Sequence, residues 1–212
     1  MQLQRTVTKS AKAALFYDLV ELLTGLYLVG FLFSHLIFES SIVLGKEVFN
    51  NLSRALDENY LPYIGIPLTV IVFFTHFLAA GRRIPTGFEE QRIIWQHARM
   101  LRHFNTWTWL VQVVSGMVIL ILGSIHMWIV ITGWPIEAGS SAARVQSGYI
   151  WFYILLLLSA GVHAGVGLYR QFVKWGWFPR KPVGILVGTA SALIIILGFL
   201  TLLAFVQLGG IS

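Results

Sequence analysis

Five long apolar runs, at 15–44, 61–80, 106–131, 149–172 and 183–206, leave this chain very little choice of fold. Each is about as long as, or longer than, the roughly 20 residues that carry a helix across hydrocarbon. In lipid every backbone N–H and C=O must find a partner within the protein, so such runs become helices. The expectation is therefore all-α: an integral membrane bundle of five transmembrane helices. The first run exceeds a bilayer and should tilt or protrude. Composition agrees, with 57% hydrophobic and 11% charged residues. The segment at 45–60, GKEVFNNLSRALDENY, reads as a polar loop. The stretch IPTGFEEQRIIWQHARMLRHFN between spans two and three is too charged to cross and reads as interfacial, amphipathic or irregular. GWPIEAGSSAARVQSG reads as a loop on its Gly, Ser and Pro content. No repeat or second domain is expected, so residues 1–212 form one domain. The opening MQLQRTVTKSAKAALFYDLVELLTG is read as retained, because Asp18 and Glu21 interrupt an apolar run that continues into a full span.

Of fifteen Lys and Arg residues, twelve fall on one side if the N-terminus is inside: Arg5, Lys9, Lys12, Arg82, Arg83, Arg92, Arg99, Arg102, Arg170, Lys174, Arg180 and Lys181. Lys46, Arg54 and Arg144 fall on the other. The positive-inside rule then selects an N-in, C-out topology. The net charge of +6 is explained by those loops and implies a lipid membrane as partner, with no nucleic acid. Cysteine is absent, which excludes disulfides, thiolate-held Fe–S clusters and covalent c-type haem in this chain.

An ionisable ring within a span is a functional suspect by default. His35, His76, His126 and His163 lie in four different spans. His76 precedes Arg82 by six residues and His163 precedes Arg170 by seven, which puts both about 9–11 Å from the inner charged edge. His35 and His126 lie in the outer halves of spans one and three. The four sort by depth into an inner pair, His76/His163, and an outer pair, His35/His126, in layers roughly 15 Å apart. Each pair draws on two helices, as ligation on both faces of a porphyrin requires. Small residues border the rings: Ser159, Ala160, Gly161, Ala164, Gly165 and Gly167 around His163, Ala79 and Ala80 after His76, and Gly123 before His126. Ser159, His163 and Gly167 share one helical face. Two non-covalent haem b groups, each held by two histidines, are the expectation. The competing readings are hydrogen bonds across helix interfaces and a proton-coupled transporter. His97 and His103 belong to the interfacial stretch and should face water or headgroups.

Arg170, Lys174 and Arg102 on the inner side and Arg144 on the outer are candidates to neutralise haem propionates, with Trp109 as a hydrogen-bond donor. An ordinary snorkelling and aromatic belt is the alternative. Asp57 and Glu58 stand at the outer mouth. One of them is a candidate proton acceptor for a quinol, which loses two protons with its two electrons; a solvated carboxylate is the alternative.

These residues carry a family resemblance. LLTGLYLVGFLFSHLIFESSIVLG, FFTHFLAAGRRIP, TWTWLVQVVSGMVILILGSIHMWIVI and HAGVGLYRQFVKWGWF, each holding one of the four histidines, resemble the single-subunit dihaem cytochrome b anchor of quinol:fumarate reductases and succinate:quinone oxidoreductases. The likeness is greatest to the epsilonproteobacterial menaquinol type. It covers nearly the whole chain. The resemblance implies His76/His163 on a proximal haem near the cytoplasm and His35/His126 on a distal one. It implies Trp109 and Lys174 near the proximal propionates, Arg144 near the distal ones, and the quinol-site carboxylate at Asp57, with Glu58 beside it. Two positions depart from the family. Gly161 stands where the type has a glutamate that helps return protons, and Glu21 stands where a glutamine lies near the proximal haem.

The expected function is the membrane anchor of a quinol:fumarate reductase in the inner membrane of a prokaryote. Menaquinol is oxidised near the outer face, and electrons pass through both haems to Fe–S and flavoprotein subunits on the cytoplasmic side. The resemblance suggests a dimer of complexes. A succinate dehydrogenase anchor running in reverse is the alternative within the fold. A haem-free scaffold or proton-coupled transporter is the alternative outside it, and a hydrogenase or formate dehydrogenase cytochrome b is a more distant rival.

Overall fold

The computed structural model describes residues 11–101 and 103–209, so Arg102 lies outside the described residues. Among the described residues eight α-helices follow one another: α1 Ala11–Ser40, α2 Lys46–Glu58, α3 Leu61–Gly81, α4 Phe88–Leu101, α5 Phe104–Thr132, α6 Ala138–Arg144, α7 Ile150–Lys174 and α8 Arg180–Gly209. No strand occurs among the described residues. Helices α1, α3, α5, α7 and α8 are long and apolar enough to cross a membrane, which bears out the five expected spans. Their outward faces carry exposed Leu23, Ile71, Trp128, Trp151 and Ile185, the surface that lipid covers.

Helix α1 packs on α3, α5 on α7, and α7 on α8, whereas α3 and α5 scarcely touch. The α7–α8 contact is close because Gly161 and Gly165 present bare backbone to Ile195 and Ser191. That is the small-residue packing favoured between membrane helices. Pro67 removes a backbone donor within α3.

Two segments read as loops are helical. The stretch at 45–60 forms α2, because Phe49, Leu52, Ser53 and Leu56 recur at helical spacing and find an apolar seat. Phe49 is 0% exposed, its ring 4.8 Å from Phe38 and 5.6 Å from Phe205. The Gly- and Ser-rich stretch forms α6, whose first amide, on Ala138, donates to Asn50 Oδ1 at 2.9 Å. Ser53 Oγ donates to the Ile136 carbonyl at 2.7 Å. Tertiary contact and a borrowed cap override weak local propensity here. Together α2 and α6 close one end of the bundle over a core of Ile42, Phe49, Ala138, Ala142, Val145 and Phe205. The α6–α7 junction turns at Gly148, whose φ of 93° is a conformation glycine adopts without strain.

At the opposite end the interfacial stretch is the regular helix α4. Glu89 and Glu90 in its first turn and Arg99 in its last complement the helix dipole. Ala98 is buried, and Trp95 packs on Trp107 of α5. His97 and His103 are exposed, as expected, and His103 caps α5.

Candidate cofactor site

One cavity of about 940 Å³ runs along the bundle axis, within the size range of small-molecule and cofactor sites. It reaches from Glu21, Arg83 and Gln171 at one end to Leu52, Ile136 and Arg144 under the α2–α6 cap. All four intramembrane histidines line it. They meet in the pairs that depth suggests. The ring centres of His76 (α3) and His163 (α7) are 6.4 Å apart, and those of His35 (α1) and His126 (α5) are 5.9 Å apart. Two imidazoles that share one metal, each through a bond of about 2 Å, have centres roughly 6 Å apart. Among the described residues no cluster of three or more His, Cys, Asp or Glu side chains could hold a bare ion. An ion bound between either pair must bring its remaining donors with it, as haem iron does.

The inner pair has ordered second partners. Thr24 Oγ1 donates to the Val20 carbonyl at 2.6 Å, so its 2.9 Å contact with His76 Nδ1 is one in which it accepts from the ring. His163 Nδ1 lies 3.1 Å from the Gln112 carbonyl and 3.1 Å from Ser115 Oγ, whose own proton goes to the Val111 carbonyl at 2.6 Å. Both rings therefore carry their proton on Nδ1 and leave Nε2 bare for a metal. The Gln112 side-chain amide agrees: its Nε2 is 3.2 Å from His163 Nε2 and donates to it. Gln112 Oε1 is buried without a partner among the described residues, so little else holds that amide in place. Glycines make room for the two rings. A Cβ on Gly25 would stand 3.2 Å from His76 Cε1, and one on Gly116 would stand 2.9 Å from His163 Cε1.

The outer pair is held by aromatic contact. His35 stacks on Phe31, and His126 meets Tyr153 edge to face. His126 Nδ1 is buried without a hydrogen-bond partner among the described residues, an unmet polar atom aimed at no protein group. Paired ring spacing fits a bis-imidazole haem at each pair, and at the inner pair the unprotonated Nε2 atoms and the glycine recesses fit it as well.

Charged groups gather at the cavity ends. Glu21, Arg83, Arg170, Gln171 and Trp109 line the inner end, and Arg144 the outer. Gln171 donates to Glu21 Oε1 at 3.1 Å, and Arg83 stands 3.7 Å from Oε2. Arg170 donates to the Asn105 carbonyl at 3.2 Å. Lys174 does not line the cavity; it pairs with Asp18 at 2.9 Å, and Asp18 also takes Arg82 at 2.7 Å and Arg83. Asp57 closes the last turn of α2, half-buried, with Oδ1 unpartnered among the described residues, while Glu58 is exposed. Neither lines the cavity. Three expected wall residues are corrected. Ser159 and Ala79 are buried away from the cavity and Gly165 packs on Ser191 of α8, so the walls are Ala160, Gly161, Ala164 and Gly167 on α7, Ala80 on α3 and Gly123 on α5. Sequence reasoning did not single out Thr24, Ser115, Gln112, Gln171, Gly25 or Gly116. A signal for four of them exists: a hydroxyl–glycine pair stands eleven and ten residues before each outer histidine.

Residues 89–207 match the model of the succinate dehydrogenase/fumarate reductase transmembrane subunit family, which is more than half of the chain. This chain belongs to that family. The resemblance drawn from the histidine-centred stretches is thereby borne out. The family match includes α5 and α7, and so His126 and His163. Similarity to full-length relatives extends it to α1 and α3. The chain is 33% identical over 204 residues to the fumarate reductase cytochrome b subunit of Wolinella succinogenes, covering 88% of this chain and 79% of that protein. It is 27% identical over 206 residues to the fumarate reductase cytochrome b subunit of Helicobacter pylori strain J99, covering 91% and 80%. A multi-pass membrane subunit is thus the shared character of this family and this fold.

Proposed function

We propose that this chain is the membrane anchor and electron-carrying subunit of a quinol:fumarate reductase, with two haem b groups. The carrying observation is the pair of imidazole pairs facing one another across a single apolar cavity. The names of the relatives support the haem and the fumarate reductase assignment. His76 and His163 hold the inner haem, and His35 and His126 the outer one. Arg170, Trp109 and, by family position, Lys174 serve the inner propionates; Arg144 serves the outer. Glu21 sets the charge at the inner end together with Arg83. When bound, the haems carry single electrons between the two membrane faces.

Menaquinol at the outer end gives up two electrons and two protons, and a carboxylate at the mouth must take a proton. Asp57 suits this better than Glu58, because its unpartnered Oδ1 is a ready acceptor. The topology is N-in, C-out, so the Asp18, Arg82, Arg83 and Lys174 cluster faces the cytoplasm in the inner membrane of a prokaryote. An Fe–S subunit docks there and passes the two electrons to a flavoprotein that reduces fumarate. The whole of residues 1–212 acts as one domain, and the complexes pair as dimers.

The test is a haem-to-protein ratio by pyridine haemochrome on the purified chain. Two b haems per chain are expected, falling when His163→Ala or His126→Ala is made. A folded chain without haem would leave a scaffold or a transporter. Succinate oxidation exceeding fumarate reduction in the purified complex would select the succinate dehydrogenase reading.

A further inference from the structure

The inner histidines are seated in the same way on two different helices. Thr24–Gly25 on α1 receives His76 of α3, and Ser115–Gly116 on α5 receives His163 of α7. In each case the hydroxyl proton is committed to the carbonyl four residues back, at 2.6 Å both times. The oxygen can then only accept from the ring. In each case the glycine that follows lies against ring Cε1; a Cβ would stand 2.9 Å from the ring at Gly116 and 3.2 Å at Gly25, so either would push the ring away from the helix. Neither outer histidine has such a partner among the described residues. The spacing is also shared: Thr24 precedes His35, and Ser115 precedes His126, by eleven residues. Eleven residues make about three turns, so seat and outer histidine share one helical face, separated by roughly 16 Å along the axis.

We propose that Thr24–Gly25 and Ser115–Gly116 are matched positioning seats for the inner haem ligands, built into the helices that carry the outer ligands. The hydroxyl holds the Nδ1–H tautomer and the ring azimuth, and the glycine sets the ring's depth. Nε2 is thereby left unprotonated before any metal arrives, and on His163 it meanwhile accepts from the Gln112 amide. Outer-shell partners of this kind orient a ligating histidine and raise its basicity. The inference rests on the inner pair being haem ligands, but the seat is a property of the polypeptide alone.

The test labels the histidines of the full chain with ¹⁵N and records their ring-nitrogen resonances in detergent, in the reduced, diamagnetic state. It is run for the native chain and for Thr24→Val, Thr24→Ser and Ser115→Ala, with the rate of haem transfer to an excess of apo-acceptor alongside. The native chain should show His76 and His163 protonated on Nδ1. Thr24→Val, which keeps the side chain's shape, should change the His76 resonances alone and raise the rate of inner-haem loss about 10- to 100-fold. Thr24→Ser should restore both. Ser115→Ala should change His163 less, because the Gln112 carbonyl remains as acceptor. Gly116→Ala should remove the inner haem while helicity is kept, and more completely than Gly25→Ala, whose Cβ would be less crowded. Nε2-protonated inner histidines in the native chain, or an unchanged His76 in Thr24→Val, would overturn the proposal. A chain that carries no haem but shows the expected ring nitrogens would instead sink the electron-transfer reading and leave the seats standing.

Discussion

Phe49→Ala should release the outer cap without disturbing the bundle. The ring is 0% exposed and packs on Phe38 and Phe205. Truncating such a side chain costs about 3–5 kcal/mol, since the neighbours relax only partly into the hole. What remains to hold α2 is chiefly Ser53 to the Ile136 carbonyl and the Ala138 amide to Asn50. Two such bonds contribute roughly 1–3 kcal/mol together, so the lost packing wins. The loss stays local, because α2 is amphipathic enough to rest on the membrane surface while the five spans keep their own contacts. Amide hydrogen exchange across 46–58 and 138–144 should accelerate roughly 100- to 4000-fold, at about 1.4 kcal/mol per decade. Haem content should be unchanged, while quinol turnover falls with the displacement of Asp57 on the last turn of α2. Unaltered exchange in α2, or equal loss of protection in α7 and α8, would refute the reasoning.

Two further substitutions probe the packing and the charges. Gly161→Ala puts a Cβ 2.6 Å from Ile195 Cγ1, an overpacking cost of about 1–3 kcal/mol set against about 1 kcal/mol of gained helix propensity; in denaturant unfolding the cost should be smaller in an Ile195→Ala background than in the native one, and an equal cost in both would mean the crowding lies elsewhere. Asp18→Asn strips the shared partner from Arg82, Arg83 and Lys174. These pairs are part-solvated, so a loss of roughly 1–2 kcal/mol is expected, larger at low salt than at high, and a salt-independent loss would rule out ion pairing as its cause.

The spans were legible because hydrocarbon leaves the backbone no alternative to a helix. The histidine pairs were legible because charges at the span ends fix depth, and depth sorts four rings into two layers. What lay beyond the sequence was azimuth. Whether Ser159 or Ala160 faces the cavity depends on which neighbour α7 meets, and that is a tertiary fact. Helix α2 was legible in principle, since Phe49, Leu52 and Leu56 recur on one face, but the charges of GKEVFNNLSRALDENY masked it. Helix α6 was not, because AGSSAAR has no apolar period and takes its order from Asn50 and the burial of Ala138 and Ala142. Lys174 sits at a position that family likeness ties to a propionate, yet Asp18 engages it here. Thr24 and Ser115 escaped notice because a hydroxyl bonded to its own helix looks inert until a neighbour's ring is known to reach it.

Chain order and site geometry also fit together as two similar halves. Helix α1 runs toward the α2–α6 cap, α2 lies across it, and α3 returns with His76; α5 runs toward the same cap, α6 follows, and α7 returns with His163. Each outgoing helix carries a hydroxyl–glycine pair and then, eleven residues after the hydroxyl, an outer histidine. The similarity is not one of sequence at large, which is why no repeat is evident along the chain. It lies in what the site demands of each half: one ring supplied, one ring supported, both on one face. Moving either outgoing helix by a single residue would turn that face by about 100° and spoil both layers at once. Register in α1 and α5 is therefore held by two sites together, whereas α3 and α7 answer to one each. Each half also packs on itself, α1 on α3 and α5 on α7, while α8 closes on α7 and α3 scarcely touches α5.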